Sequence, residues 1–379
     1  MKAEPPRTGR RCVVQLLPAM HTGGVERGTL EVAACLAAKG HRSVVVSSSG
    51  RLVPALCKAG AEHIDLSVGR KNPVSAWFCR QRLKKLFQDM RPDIVHARSR
   101  LPAWLAYSAL QAMPPAERPA FVTTVHGLYS VKRYSSIMAR GDRVIAVSRT
   151  AADYVTKHYK PWLKRDPVVV YRGIDPDEFP YGHRPDASFL DRWRRQCHQL
   201  AEHKTVLLPG RLSRLKGGRD LLYWLQCTTV PARLLLTARP DDDVNAARLY
   251  RFFEEHGVAN KVVWLGLQER MADVYAAVDV VVNASRKPES FGRTVAEALA
   301  VGTPVVGYDH GGVGEILQAV YPHGRVPVGD RRALACRLDE VLVKPWPVPD
   351  KQPFLLSDML RRTYVLYQDL WSERPERLG

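Results

Sequence analysis

The stretch Arg286-Lys287-Pro288-Glu289-Ser290-Phe291-Gly292-Arg293-Thr294-Val295-Ala296-Glu297 decides how the chain reads, together with Gly302-Thr303-Pro304-Val305-Val306 and Gly311-Gly312-Val313-Gly314-Glu315 behind it. The apolar run Val278–Val282 just before it has the composition of a buried parallel strand. A loop is predicted next, then a helix opening at Gly292 or Arg293. The free amides of such a helix start face the carboxyl edge of the sheet, where an anion can bind. Glu289 falls in the loop, and Glu297 falls about two turns along the helix. Taken alone, the same residues also suit an ordinary strand–loop–helix unit with a glycine turn and a solvated glutamate.

Strand-like runs alternate with helical ones on both sides of this stretch, the pattern of parallel sheets with crossover helices. Upstream, strands are expected at Cys12–Leu17, Val44–Ser48, Ile94–His96, Phe121–Val125, Val144–Val147 and Val168–Val170. The first ends in a glycine loop, Gly23-Gly24-Val25-Glu26, opening a helix through Lys39. After the proline-rich exit Asp175-Pro176-Asp177-Glu178-Phe179-Pro180 a second series follows, at Lys204–Leu208, Arg233–Thr237, Val262–Leu265, Val278–Val282 and Pro304–Val306. Pro345, Pro347, Pro349 and Pro353 read as a stiff connector to a closing amphipathic helix, Leu356–Trp371. The expected fold class is therefore α/β. Two Rossmann-like domains, 1–179 and 180–355, would face each other across a cleft, with 356–379 returning to the first.

Composition bounds the partners. At 379 residues the chain suits two domains, and 45% hydrophobic content is ample for their cores. The seven cysteines are scattered and odd in number, which suits reduced thiols in the cytoplasm rather than a disulfide framework. No apolar run approaches the roughly 20 residues that cross a bilayer. Nor does the amino terminus carry the apolar region of a secretory signal, so a cytoplasmic protein is expected. Net charge is +19 and uneven: residues 1–180 hold 29 basic against 14 acidic side chains, and residues 181–379 hold 28 against 24. An anionic partner is expected to meet the first half. Basic charge also suits a nucleic-acid binder, but the tryptophans and cations fall on no recognisable RNA- or DNA-binding module, so no nucleic-acid partner is expected.

The second series opens with Gly210-Arg211-Leu212-Ser213-Arg214-Leu215-Lys216-Gly217-Gly218 after its first strand. Two cations held at a strand's carboxyl edge repel unless an anion joins them. A diphosphate fits, with Arg211 binding as a fork and Lys216 as a compact charge. A solvated basic turn is the plainer alternative. Asp241-Asp242-Asp243 superficially offers a metal-binding run, but its place before Val244–Leu249 reads as the acidic start of a helix. No metal is expected. The stretch Asn72–Met90 interleaves Trp77, Phe78, Leu83, Leu86 and Phe87 with Arg80, Arg82, Lys84 and Lys85. That pattern suits a core-packed helix with a solvated basic face, or a peripheral contact with anionic lipid.

Gly210-Arg211-Leu212 with Lys216-Gly217, then Glu289-Ser290-Phe291-Gly292 with Glu297-Ala298, and the early Gly23-Gly24-Val25-Glu26 loop together resemble family-4 retaining glycosyltransferases of GT-B fold. The resemblance spans nearly the whole chain in order. His96-Ala97-Arg98-Ser99-Arg100 and Arg70-Lys71-Asn72-Pro73 further resemble bacterial members acting on lipopolysaccharide core. It implies metal-independent, retaining transfer of a hexose-type sugar from a nucleoside-diphosphate sugar, UDP-linked for preference, with no cofactor. Arg211, Lys216 and the amides over Ser290, Phe291, Gly292, Arg293 and Thr294 would hold the diphosphate, Glu297 the ribose and Glu289 the sugar. Gly23 and Gly24 would let backbone approach the donor, and His126 matches the family's active-site histidine. The acceptor, an anionic glycolipid or phosphorylated oligosaccharide, would meet His96, Arg98, Arg100, Arg70 and Lys71 at the cytoplasmic face of the inner membrane. One departure, Thr237-Ala238-Arg239-Pro240 in place of Gly-x-Gly-Pro, weakens any transfer of base preference. A sugar-nucleotide epimerase of the same two-domain build is the nearest alternative.

Overall fold

The structure is a computed structural model describing residues 9–21, 23–69, 72–196 and 202–373, with Arg214 given by its backbone alone. Two compact units divide the chain, Met1–Tyr171 with Asp358–Gly379, and Arg172–Ser357. The first runs β1 (Cys12–Ala19), α1 (Gly24–Ala38), β2 (Arg42–Ser48), α2 (Val53–Lys58), β3 (Glu62–Asp65), α3 (Pro73–Met90), β4 (Ile94–Ala97), α4 (Arg100–Gln111), β5 (Ala120–Val125), β6 (Arg143–Ala146), α5 (Arg149–Tyr159) and β7 (Val168–Val169). Its seven strands are all parallel, in the order β3-β2-β1-β4-β5-β6-β7. Val13, Val14, Leu16 and Leu17 of β1 are all fully buried. A parallel strand covered by helices on both faces needs such a nearly continuous apolar run, here interrupted only by the buried, hydrogen-bonded Gln15. Each such side chain contributes roughly 1.5–3 kcal/mol by leaving water.

The second unit runs α6 (Ala187–Gln196), β8 (Lys204–Leu208), α7 (Leu221–Cys227), β9 (Ala232–Leu236), α8 (Val244–Glu255), β10 (Val262–Trp264), α9 (Met271–Ala276), β11 (Val280–Asn283), α10 (Arg293–Val301), β12 (Val305–Tyr308), α11 (Gly311–Val320), β13 (Arg325–Val326) and α12 (Arg331–Val343). Its six parallel strands are ordered β10-β9-β8-β11-β12-β13. Trp224, Phe253 and Leu338 anchor one face of its core. The last helix, α13 (Leu356–Ser372), packs on the first unit. Its Tyr364 and Tyr367 meet His41 and His96, and Glu373 just beyond it pairs with Arg143 and Arg165.

The chain leaves the first unit at Tyr171, earlier than residue 179. Ile174 explains the difference: its amide donates to Phe354 O at 2.8 Å and its carbonyl accepts from Leu356 N at 2.9 Å, so residues 172–179 pack with the second unit. Two strands, β3 and β13, were not expected. Glu62-His63-Ile64-Asp65 is an edge strand of mostly polar residues and β13 has two residues, so neither offers an apolar run to read. Each sheet reverses its winding once, between β1 and β4 in the first and between β8 and β11 in the second. At such a reversal neighbouring loops diverge to opposite faces and leave a crevice at the carboxyl ends.

Candidate active site

The loops after β8 and β11 meet at the second reversal. Leaving β8, the chain turns at Gly210 (φ +93), whose amide donates to Thr237 Oγ1 at 2.8 Å, and Arg211 stands exposed beyond it. A single turn, Arg214–Lys216, ends on Gly217 in the left-handed region (φ +68). A Cβ there would lie 1.7 Å from Ala284 O, just past β11, so only glycine lets this turn rest directly on the strand end. Arg286 N donating to Leu215 O at 2.9 Å joins the two loops a second time.

That seating carries Lys216 Nζ to 2.8 Å from Glu289 Oε1. Asn283 Nδ2 (2.9 Å) and Ser285 Oγ (2.6 Å) donate to the same oxygen, while no described residue donates to Oε2. Burial pushes the Glu289 pKa up, but the Lys216 charge and the three hydrogen bonds outweigh it and hold the carboxyl below its ordinary value. Glu289 is thus an ionised carboxylate with one oxygen spoken for and the other open to a hydroxyl donor.

The loop carrying Glu289 is pinned from behind. Gly312 N donates to Glu289 O at 2.8 Å, and a Cβ on Gly312 would lie 2.3 Å from Phe291 O. The glycines opening α11 therefore exist to let that helix start abut the loop. Phe291 is buried against Phe354, so it offers the site its backbone rather than its ring. Gly292 (φ +101) caps α10, whose first turn, Arg293 and Thr294, follows directly.

Glu297 is buried, taking Arg293 Nε on Oε1 at 2.7 Å and Tyr275 OH on Oε2 at 3.0 Å. Each oxygen keeps a second lone pair. Burial and the neighbouring carboxylate hold the Tyr275 phenol neutral, well above its ordinary pKa. The expected helix cap at Asp243 is present: its Oδ1 accepts from Asn245 N (2.6 Å) and Ala246 N (3.2 Å). Among the described residues no group of three or more metal-ligating side chains gathers.

One group escaped the sequence reading. Asp220, only 1% exposed, opens α7 four residues after Lys216. It accepts from Arg286 Nε (2.8 Å), Tyr308 OH (3.0 Å) and Arg331 Nε (3.1 Å). One carboxylate thus ties the Lys216 turn to the Glu289 loop, to β12 and to α12. In the sequence an aspartate at a helix start reads as a cap, and nothing local distinguishes it.

The first unit shows a different edge. Gly23, in extended backbone, caps α1 beside the reversal of the first sheet, with Gly24 as the first helical residue. His126 follows β5 and is half-buried, and Tyr129 bonds to its backbone. Two expected acceptor groups are corrected. His96 is fully buried, with Nδ1 on Tyr367 OH and Nε2 on Thr124 Oγ1, each at 2.6 Å. Burial and then the Arg98 charge hold its pKa well below the ordinary value, so it is a neutral core histidine. Arg98 is 4% exposed and donates to Gln15 Oε1 at 3.3 Å, a structural arginine rather than an acceptor contact. A strand-end position is where a core residue and a ligand contact look alike in sequence. Arg100 remains half-exposed. Arg70 and Lys71 lie outside the described residues.

Comparison with known proteins agrees with this architecture. The Glycosyltransferase Family 4 profile matches residues 22–178 and the Glycosyl transferases group 1 profile matches residues 203–343. The N-acetyl-alpha-D-glucosaminyl L-malate synthase of Bacillus anthracis is 28% identical over 263 residues, 66% of this chain and 65% of that one. The aligned stretch is thus just under two thirds of that relative's length. The crystal structure of a glycosyltransferase from Rickettsia africae ESF-5 superposes with a TM-score of 0.80 at 26% identity, over 95% of this chain and 98% of the other. Anabaena Alr3699/HepE, solved in complex with UDP and glucose, superposes with a TM-score of 0.75 at 19% identity, over 94% and 99%. With its two parallel-sheet, Rossmann-like domains the chain has the GT-B fold, and its two units match, in order, the Glycosyltransferase Family 4 and the Glycosyl transferases group 1 profiles.

Proposed function

We propose that this protein transfers a hexose-type sugar from a UDP-linked donor to an anionic acceptor, with retention at the anomeric carbon and without a metal. The observation that carries the reading is the Lys216–Glu289 pair at the β8/β11 reversal, next to the opening turn of α10. A diphosphate arriving there would meet Lys216, Arg211 and the amides of Ser290–Thr294, and the open oxygen of Glu289 would take a sugar hydroxyl. Glu297, through its remaining lone pairs, is assigned the ribose, and His126 the first unit's catalytic contribution. Alr3699/HepE holds UDP and glucose on the same fold, which supports a UDP sugar here.

No nucleophilic side chain is required. In front-face substitution the bond from the anomeric carbon to the diphosphate oxygen breaks first. The acceptor oxygen then bonds to the same face of the oxocarbenium, and the departing diphosphate takes the acceptor's proton. The protein's part is to stabilise the departing charge with groups already aimed at it.

A panel of UDP, GDP and ADP sugars in thermal-shift measurements tests the donor. A UDP sugar should raise the melting temperature in wild type and much less in Lys216→Ala. No shift with any sugar nucleotide overturns the reading. Incubating the donor without acceptor separates an epimerase, which would convert it, from a transferase, which would leave it or hydrolyse it slowly. Full activity in a strong chelator supports metal independence, and its abolition would overturn it.

For the acceptor we propose a phosphorylated glycolipid of the lipopolysaccharide-core type, met at the cytoplasmic face of the inner membrane. The basic first half supports an anionic acceptor, as does the L-malate in the relative's name. On α3, Val74, Trp77 and Phe78 are more than half exposed beside exposed Arg82 and Lys85, which supports a peripheral lipid contact. No helix among the described residues is long and apolar enough to cross a membrane. Sugar transfer from the matched donor to isolated lipopolysaccharide core, compared with L-malate, separates the two acceptor classes.

A further inference from the structure

We propose that Arg100, Lys132 and Arg133 form a phosphomonoester-binding platform on the first unit, displayed by the rigid segment Ser130–Tyr134. The proposal rests on the transferase reading above and adds to it the group by which the acceptor is recognised. Strands β4 and β5 are neighbours, with Ala97 paired to Thr123. Arg100 follows one and Ser130–Tyr134 the other, so both stand at the carboxyl edge of the sheet, where open α/β folds bind their ligands.

The segment is exposed yet firmly held. Ser130, Val131, Lys132, Arg133 and Tyr134 all face solvent. Their backbone, however, is tied at several points by side chains. Trp104 Nε1 donates to Tyr134 O (2.8 Å), and Ser135 Oγ and Tyr159 OH donate to Ser130 O (3.0 and 3.3 Å). Lys132 N donates to Tyr159 OH (3.4 Å), and Tyr154 OH donates to Tyr129 O. An ordinary solvated loop needs no such bracing. Holding the backbone while leaving the charged side chains outside lowers the ordering cost of a binding event, the general logic of a loop positioned on a scaffold.

Arg100 is placed with equal care. Its guanidinium lies 4.5 Å from the Tyr129 ring and 5.4 Å from the Tyr134 ring, with Nη1 3.1 Å from Ser135 Oγ. None of Arg100, Lys132 and Arg133 pairs with a carboxylate among the described residues. Elsewhere on this unit arginines do find them, Arg11 with Asp93 and Arg42 with Glu62 among others. Three unneutralised cations around a fixed loop suit a dianion with three acceptor oxygens, with arginines as forks and lysine as a compact charge. A phosphomonoester has that form, whether it sits on a sugar or on a lipid.

The test measures binding to the full chain by tryptophan fluorescence, since Trp104 lies under the loop, using glucose 6-phosphate and glucose as soluble probes. Phosphatidic acid vesicles and phosphatidylcholine vesicles form the second arm. Wild type should bind a phosphomonoester over its neutral counterpart. Lys132→Gln/Arg133→Gln should weaken that binding about tenfold or more, as should Arg100→Gln, while Arg133→Lys retains most of it. Binding of glucose 6-phosphate assigns the platform to a phosphate on the acceptor itself, and binding of phosphatidic acid vesicles alone assigns it to a lipid headgroup. No preference in either arm overturns the proposal, as does unchanged preference in the double variant. UDP-sugar binding, read separately by thermal shift, should be unchanged by these substitutions. Its absence in wild type would defeat the transferase reading without touching the platform.

Discussion

Lys216 in the second unit and Lys132 in the first both stand in loops leaving the carboxyl ends of parallel strands, but their surroundings are opposite. Lys216 is half-buried against Glu289, and around it Arg293 pairs with Glu297 while Arg286 and Arg331 pair with Asp220. Lys132 is exposed, and neither it nor its neighbours Arg100 and Arg133 meets a carboxylate among the described residues. Apart from the exposed Arg211, the cations of this site already have counter-ions, so most of it is assembled before a ligand arrives. On the proposed function, a diphosphate entering it would exchange one anion for another at Lys216 and leave Glu289 to face the sugar. The first unit's cations have no such internal anion, so their field extends into solvent, draws an anion in and weakens with salt.

This contrast can be broken by experiment. The largest effect is expected at Lys216, where alanine should lower turnover about a hundredfold or more, the cost of losing one preorganised charge. Arginine should not restore it, because a planar fork cannot occupy a point-charge position. Steady-state kinetics with saturating donor would decide, and near-normal turnover in Lys216→Ala would remove the second unit's site from consideration.

Gly217→Ala follows. Its Cβ would meet Ala284 O and its φ is positive, so a loss of roughly 3 kcal/mol is expected in urea unfolding. Asp220→Ala should cost about 2 kcal/mol, because it strips a partner from the buried Tyr308 hydroxyl while Arg286 and Arg331 stay half-exposed and partly hydrated. The same variant should raise the donor KM, since the Arg286 end of the Glu289 loop loses its anchor. Unchanged donor KM would show that the loop is held by its backbone contacts alone.

Acid should separate the two units in a set order. His96 has a depressed pKa, so the stability it contributes is complete above its unfolded value, about 6.5, and drains away as pH falls toward the folded value. Glu289 is depressed too, but its loss begins only below about 4.3. Hydrogen exchange should therefore show β4 amides losing protection at a higher pH than β11 amides. Simultaneous loss would sink the assignment of a neutral, fully buried His96. The smallest change in stability is expected for Trp77→Ala/Phe78→Ala, within about 0.5 kcal/mol per substitution because both rings are exposed. Binding to anionic vesicles should nonetheless fall, and undiminished binding would argue that α3 is not the lipid contact.

Much of this was legible in the residues. Among the described residues, apolar runs marked eleven of the thirteen strands to within two residues at either end, because most of these strands are buried on both faces and need no partner to reveal themselves. The glycines of the Gly210–Gly218 run announced a turn and Gly292 a helix start, and Gly210, Gly217 and Gly292 all sit at positive φ. Edge strand β3 and short β13 hid because their residues are polar or few.

Chemical identity and local geometry come from the order of residues: which segments are strands, where the chain must turn, and where a helix start can offer amides to an anion. Pairing comes only from the folded chain. Glu289 finds Lys216 across 73 positions, and Asp220 gathers Arg286, Tyr308 and Arg331 across 66, 88 and 111. His96 is silenced by Tyr367, 271 positions away. Backbone preference acts over a few residues, whereas burial and ion pairing are set by whatever the fold brings within a few ångströms. A histidine at a strand end is therefore a ligand contact or a core group only once its neighbours are in place.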